Sequence, residues 1–416
     1  MSVSQSTDQV LIQKLLAHLK AEGYSQQTHR SYPTRIRQLL DYCNRNRLQI
    51  ETLRSTQVTK FLRQQYRLSR KRHRKLPPFQ KWRHRYTGAV NMLLRLVHGT
   101  WPIPDPPRTP REAFHRDLVN GYEAWLRDVR GLSPEARTQR AARARQFLTF
   151  IGPRAEEDSL ASLNVQEIDA YVRHSCANVS RASKEDRTVC LRDFLRHLHR
   201  RGHLACDLSD TVIGPRIYEH EGIPSALRQE DVEEVIKVTR ADPSPTGLRD
   251  YAILLLLARY GLRAAEIVQL RIEDLDWRRD VLRVRHTKTG TGSELPLLVE
   301  PGEALLRYLE KGRPQSTYRE VFLRILPPHR PFKDGSILNC ITRARLRAAR
   351  IIPQGRHGPH AFRHARAVSL LRSGVPLKII GDVLGHTSAQ ATAEYLKLAT
   401  EDLRAIGLEL PSGVSP

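Results

Sequence analysis

The stretch "WPIPDPPRTP", residues 101–110, holds five prolines in ten residues. Proline fixes φ and has no amide donor, so neither a helix interior nor a central strand runs through such a segment. It reads as a stiff linker over 101–113. A second break, "VIGPRIYEHEGIPSAL" at 212–227, has Pro215 and Pro224 bracketing an aperiodic stretch, and it sets a linker at 213–225. The 416 residues therefore divide into parts at 1–100, 114–212 and 226–416.

The first two parts resemble each other. "GYSQQTHRSYPTRIRQLLDY" at 23–42 aligns with "GLSPEARTQRAARARQFLTF" at 131–150, matching Arg35 with Arg143 and Arg37 with Arg145. "LRSTQVTKFLR" at 53–63 then aligns with "LNVQEIDAYVR" at 163–173, and "LLRLVH" at 93–98 with "FLRHLH" at 194–199. The separation is too long for a solenoid repeat, so tandem helical modules are expected.

Charge limits the partners. Lys and Arg number 69 against 44 Asp and Glu, a formal net charge of +25 with a pI near 10.4. Such a balance attracts polyanions, chiefly nucleic acid. The basic residues cluster. "RTQRAARAR" brings Arg137, Arg140, Arg143 and Arg145 into little more than two helical turns. Residues 60–85 hold eleven Lys and Arg and no acid, among them Arg70, Lys71, Arg72, Arg74 and Lys75. Like charges at that density repel unless an anion compensates them, so phosphate contact is expected, with Tyr66, Phe79 and Trp82 interleaved as sugar or base contacts.

Other classes lose support. The longest apolar run, "YAILLLLARYGL" at 251–262, is too short for a membrane span and reads as a buried helix. The polar start "MSVSQSTDQV" does not read as a signal peptide. Five scattered cysteines without a C-x-x-C pair fit a reducing cytoplasm and give neither a disulfide framework nor a zinc site. No metal, ATP or dinucleotide motif occurs, so no cofactor is expected.

The third part changes character. "SALRQEDVEEVIKVTR" reads as a capped helix, and "RDYAILLLLARYGLRAAEIVQLRIEDLDW" as a buried helix, a glycine turn and a second helix. "DVLRVRHTKTGTGSELPLL" alternates apolar residues around a Gly-rich turn, which predicts a hairpin or small sheet. The fold class expected is mainly α, with helical N-terminal DNA-binding modules and an α+β C-terminal domain containing a small antiparallel sheet.

Four short motifs here carry chemistry. In "GPHAFRHARAVSLL", Pro359 suits a helix start, and His360 and Arg363 fall on one face, with His364 one turn on. In "YGLRAAEIVQL", Arg263 follows a glycine turn, with Glu266 placed to pair with it. "RHTKTGTG" puts Lys288 at the expected hairpin tip, and "VLGHTSAQATAEYLKL" puts His386 at a turn and Tyr395 in the helix beyond. Singly these are ordinary surface features. Together they supply what metal-free phosphodiester cleavage requires: cations for the non-bridging oxygens, a nucleophile, and an acid for the leaving oxygen.

The order Arg, Lys, His-x-x-Arg, Gly-His, Tyr resembles that of the tyrosine recombinases, or phage integrase family, over about 226–400. The resemblance implies that Arg263 and Arg363 clamp the scissile phosphate and that Lys288 protonates the leaving 5′ oxygen. It further implies that His360 accepts a proton, that His386 holds the phosphate, and that Tyr395 forms a 3′-phosphotyrosyl bond. Glu266 and His364 would be supports behind them. It implies a helical core-binding domain at 114–212, a C-terminal helix after Tyr395 that docks on a neighbouring protomer, and action on specific double-stranded DNA sites by a tetramer on two duplexes. Sister recombinases or DNA-bending accessory proteins would assist, on nucleoid DNA in a bacterial cytoplasm. The extra basic module at 1–100 points to a mobile-element integrase or transposase-type enzyme. "HARAVSLL" after Arg363 departs from the usual pattern and changes helix packing only. The competing readings are a non-catalytic DNA-binding regulator on the same fold, or a type IB topoisomerase or telomere resolvase.

Overall fold

The computed structural model of the chain describes residues 3–73, 75–216, 227–286, 291–353 and 357–385. Among the described residues, five α-helices precede the proline-rich stretch: α1 (Val3–Ala21), α2 (Gln26–Arg45), α3 (Ser55–Arg72), α4 (Phe79–Trp82) and α5 (His84–His98). Then come α6 (Pro110–Asp128), α7 (Pro134–Ile151), α8 (Glu157–Leu160), α9 (Val165–Cys176) and α10 (Arg181–Arg200). The remainder holds α11 (Gln229–Arg240), α12 (Pro245–Leu255), α13 (Ala264–Gln269), strands β1 (Leu275–Asp276), β2 (Val281–His286) and β3 (Thr291–Pro296), then α14 (Val299–Arg307), α15 (Ser336–Ala348), α16 (Pro359–Arg372) and α17 (Leu377–Leu384). The fold is thus mainly helical with one three-stranded antiparallel sheet, as the sequence implies. Among the described residues no helix is long and apolar enough to cross a membrane.

The chain divides into two compact units, one of 1–51, 75–99 and 222–416, the other of 52–74 and 100–221. Within the second, α6, α7 and α10 bury Tyr122, Phe147, Leu148, Phe194 and Leu195 in one core. Tyr122 and Phe194 meet edge to face with centroids 5.0 Å apart. Helix α6 reaches back into the stretch read as linker. Pro110 sits in its first turn, where no amide donor is needed, and the Thr109 hydroxyl accepts from Glu112 N at 3.1 Å.

The two aligned sequence stretches fold into the same local motif. Gly23 and Gly131 both take positive φ, at 69° and 60°. Ser25 and Ser133 then cap α2 and α7, each hydroxyl accepting an amide three residues on at 3.3 Å. Further along, the Gln57 and Glu167 side chains reach back to the amides of Arg54 and Asn164 at the starts of α3 and α9.

In the first unit, α12 and the π-turn Leu256–Tyr260 run through the core, with Ala252 to Leu257 fully enclosed. The sheet covers one side. Leu282 and Val284 face inward while Arg283 and Arg285 alternate outward, the period of two expected of a half-buried strand. Trp82, anticipated as a DNA contact, is only 2% exposed, with its ring centroid 5.0 Å from that of Tyr86. Its indole serves packing, because a large apolar ring on an otherwise basic segment is the group there that gains from burial.

A buried ionic cluster ties α12 to α15. Asp250 is 3% exposed, and its Oδ1 accepts from Arg249 Nη2 at 2.7 Å. Its Oδ2 accepts from Arg345 Nε at 2.8 Å, and Arg345 Nη1 continues to Asp242 at 2.8 Å. Removing one partner strands charge in a dry site. Asp250→Ala should therefore lower unfolding stability by about 3–5 kcal/mol, read as a shift of the urea midpoint. Asp231→Ala, which breaks the exposed pair with Arg228, should leave that midpoint in place.

Candidate active site

Arg263 stands at the N-terminal cap of α13, just after the turn at Gly261. Gly261 has φ 67°, a left-handed value that disfavours a side chain, and a Cβ there would lie 2.6 Å from Leu384. The chain thus reverses directly out of the buried π-turn and delivers Arg263 at the core's edge. Glu266 fixes it in two ways. Its Oε2 accepts the Arg263 amide at 2.8 Å, and its Oε1 accepts Arg263 Nη1 at 2.8 Å. Arg263 Nη2 donates to the Gly385 carbonyl at 2.8 Å.

Arg363 comes from α16. It is 4% exposed, with Nη1 donating to Gly261 O at 2.7 Å and Nη2 to Leu384 O at 2.6 Å. Both acceptors lie at helix C-termini, where unsatisfied carbonyls carry partial negative charge. Helix α17 ends at Gly385, φ 62°, the start of the Gly-His pair. The two arginines therefore donate to consecutive carbonyls, Leu384 and Gly385, and share this turn.

His360 lies in the first turn of α16 and is exposed, one residue after Pro359. His364 is half-buried, with its ring centroid 6.4 Å from that of His360. Lys288, His386 and Tyr395 lie outside the described residues, as do Arg74 and the segment after Tyr395. The structure thus brings Arg263, Glu266 and Arg363 together on the Leu384–Gly385 turn, and places His360 and His364 on the helix that carries Arg363.

One residue at this cluster escaped the sequence reading. His286 is 3% exposed. Its Nδ1 lies 2.8 Å from Glu266 Oε1, and its Nε2 lies 2.8 Å from Ser293 Oγ. Its signal was present: strand alternation puts position 286 on the inward face after Leu282 and Val284, where an apolar residue is the rule. Glu266 therefore has three donors. Burial pushes its carboxyl up, but hydrogen bonds from His286 and from the Arg263 amide and guanidinium outweigh that and hold it below the usual range.

The expected DNA-binding residues have mixed roles. Arg70, Lys71 and Arg72 are exposed in the last turn of α3, and Lys75 is exposed as well. Arg137 is half-buried near the start of α7. Arg145 pairs with Glu123 at 3.0 Å across the surface, and Arg143 lies 3.8 Å from Asp186. Arg143 and Arg145 also line a cavity of about 510 Å³ with Arg187, Phe150, Tyr171 and His174. Arg140 pairs instead with the buried Asp193, which makes it part of the core's edge.

Two arginines organised on a glycine turn bring together the kind of donor that phosphate recognition uses, within a helical domain with a small sheet. Residues 225–402 match the phage integrase family. A putative integrase/recombinase of Sinorhizobium fredii is 53% identical over 189 residues, 45% of this chain and 97% of that protein. A second from the same organism is 32% identical over 334 residues, covering 79% and 78%. Lambda integrase, solved as a dimer bound to a core site, superposes with TM-score 0.53 at 18% identity, covering 67% of this chain and 94% of that one. The chain belongs to the phage integrase family of site-specific tyrosine recombinases.

A carboxyl whose folded pKa is depressed stabilises the fold above its unfolded pKa, and that contribution is lost as pH falls through the folded value. For Glu266 the loss begins below about pH 4.3. Urea midpoints measured from about pH 6 down to about pH 3.5 should fall more steeply for the wild type than for Glu266→Gln.

Proposed function

We propose that this chain cuts and rejoins duplex DNA at specific sites through a 3′-phosphotyrosyl intermediate on Tyr395, in the integration and excision of a mobile element. Arg263 and Arg363 clamp the scissile phosphate, supplying fixed donors where charge builds in the transition state. The Tyr395 hydroxyl attacks phosphorus in line as the bond to the 5′ oxygen breaks. His360 takes the phenol proton, Lys288 gives a proton to the leaving 5′ oxygen, and His386 holds a non-bridging oxygen. One phosphoester is exchanged for another. A 5′-hydroxyl of a second strand can therefore reverse the step and reseal the DNA without a nucleotide cofactor.

The observation that carries this reading is the convergence of both arginines on the Leu384–Gly385 turn, with His386 next in the sequence and Tyr395 nine residues after it. The lambda integrase tetramer that shares the fold is bound to a Holliday junction. We carry over an assembly of four protomers on two duplexes, acting on nucleoid DNA in the cytoplasm. Arg70, Lys71, Arg72, Arg74, Lys75, Arg137, Arg143 and Arg145 contact phosphates along the duplex.

Nicked duplexes that let the cleaved fragment diffuse away trap the covalent adduct. On such a substrate, carrying a site selected from random-sequence DNA, Tyr395→Phe should bind as the wild type does and form no adduct. An adduct that survives the substitution would sink the proposal.

The basic residues separate by a different measurement. Lys71→Ala should reduce the slope of log affinity against log salt by about 1 with stability unchanged. Arg140→Ala should instead lower unfolding stability by about 1–3 kcal/mol, because it removes the hydrogen-bonded partner of the buried Asp193 and leaves it Arg196 at 4.0 Å.

A further inference from the structure

We propose that His286 is a positioning residue for strand cleavage, acting through Glu266 on Arg263 and through its ring on the Gly385 turn. This rests on the reading of Arg263 as a phosphate clamp. Glu266 Oε1 is shared: Arg263 Nη1 and His286 Nδ1 both approach it at 2.8 Å. An ionised carboxylate only accepts, so Nδ1 donates to it, while Nε2 and the Ser293 hydroxyl share the second hydrogen bond. The imidazole is thereby tethered at both nitrogens, to β3 on one side and to α13 on the other.

The same ring bears on the second arginine contact. A Cβ at Gly385 would fall 2.7 Å from His286 Nδ1 and 2.8 Å from Nε2, so the ring packs directly on that backbone. Gly385 is the residue whose carbonyl accepts Arg263 Nη2. His286, Glu266, Arg263 and Gly385 therefore close a ring of contacts, and the imidazole touches both Glu266 and Gly385, to which the guanidinium donates. Loss of the ring would leave Glu266 one donor short and open a gap against Gly385. Arg263 could then shift relative to the phosphate, and a shift of about 1 Å costs on the order of 100-fold in rate.

The test compares adduct formation by the full chain on two nicked duplexes carrying the selected site. One has a native scissile phosphate. The other has a methylphosphonate there, which removes the charge that Arg263 answers. His286→Leu should cleave the native duplex about 10- to 100-fold more slowly, with binding intact. His286→Asn, whose amide reproduces the Nδ1 donor, should recover most of that loss. On the methylphosphonate the deficit of His286→Leu should close, as should that of Arg263→Ala.

Wild-type cleavage of the native duplex by His286→Leu overturns the inference. An equal deficit on both duplexes, with Arg263→Ala closing its own gap, also overturns it while leaving the clamp reading in place. A gap for Arg263→Ala that stays open overturns the clamp reading and the inference with it. If His286→Leu loses cooperative unfolding, Ser293→Ala releases the Nε2 tether at a half-buried position. It should slow cleavage of the native duplex severalfold and leave the methylphosphonate unaffected, and an unchanged native rate counts against the proposal.

Discussion

Arg363 ends on two carbonyls, Gly261 O and Leu384 O, and these belong to helices far apart in the chain. One is the end of the buried π-turn, the other the end of α17. A guanidinium with little access to water is costly unless its donors are met, and the orphan carbonyls of a helix end are costly for the same reason. The two needs cancel in one place. The remainder of the site hangs on that junction: Gly261 turns the chain into Arg263, and Gly385 supplies the next acceptor for Arg263.

Both glycines are required by shape as well as by φ. At Gly261 a side chain would run into Leu384, and at Gly385 into the His286 ring. Helix α17, strand β2 and the π-turn therefore meet where a side chain of one rests on the glycine backbone of another. Close packing of this kind transmits small displacements, which is why a histidine on the sheet bears on an arginine at a helix cap.

Much of this was legible beforehand, for identifiable reasons. The positions of the two arginines and of Glu266 follow local rules: a glycine turn, a helix start, a carboxylate three residues on. The alignment of 23–42 with 131–150 was legible because serine caps and left-handed glycines leave fixed spacings. Trp82 was misplaced because basic neighbours say nothing about which way a single ring turns. In the sequence Arg140 looks like its basic neighbours, and only the fold brings Asp193, 53 positions on, against it. His286 was missed because its partners, Glu266 and Ser293, lie in different elements, although the strand's alternation had already marked the position as inward.

The character of Arg363's partners has a further consequence. Two carbonyl dipoles face its guanidinium, whereas Arg263 faces the carboxylate of Glu266. A carbonyl takes up no proton, so the two contacts of Arg363 persist as the pH falls, whereas the contact that Glu266 makes weakens once its carboxylate is protonated. The holds on the two arginines therefore part company in acid.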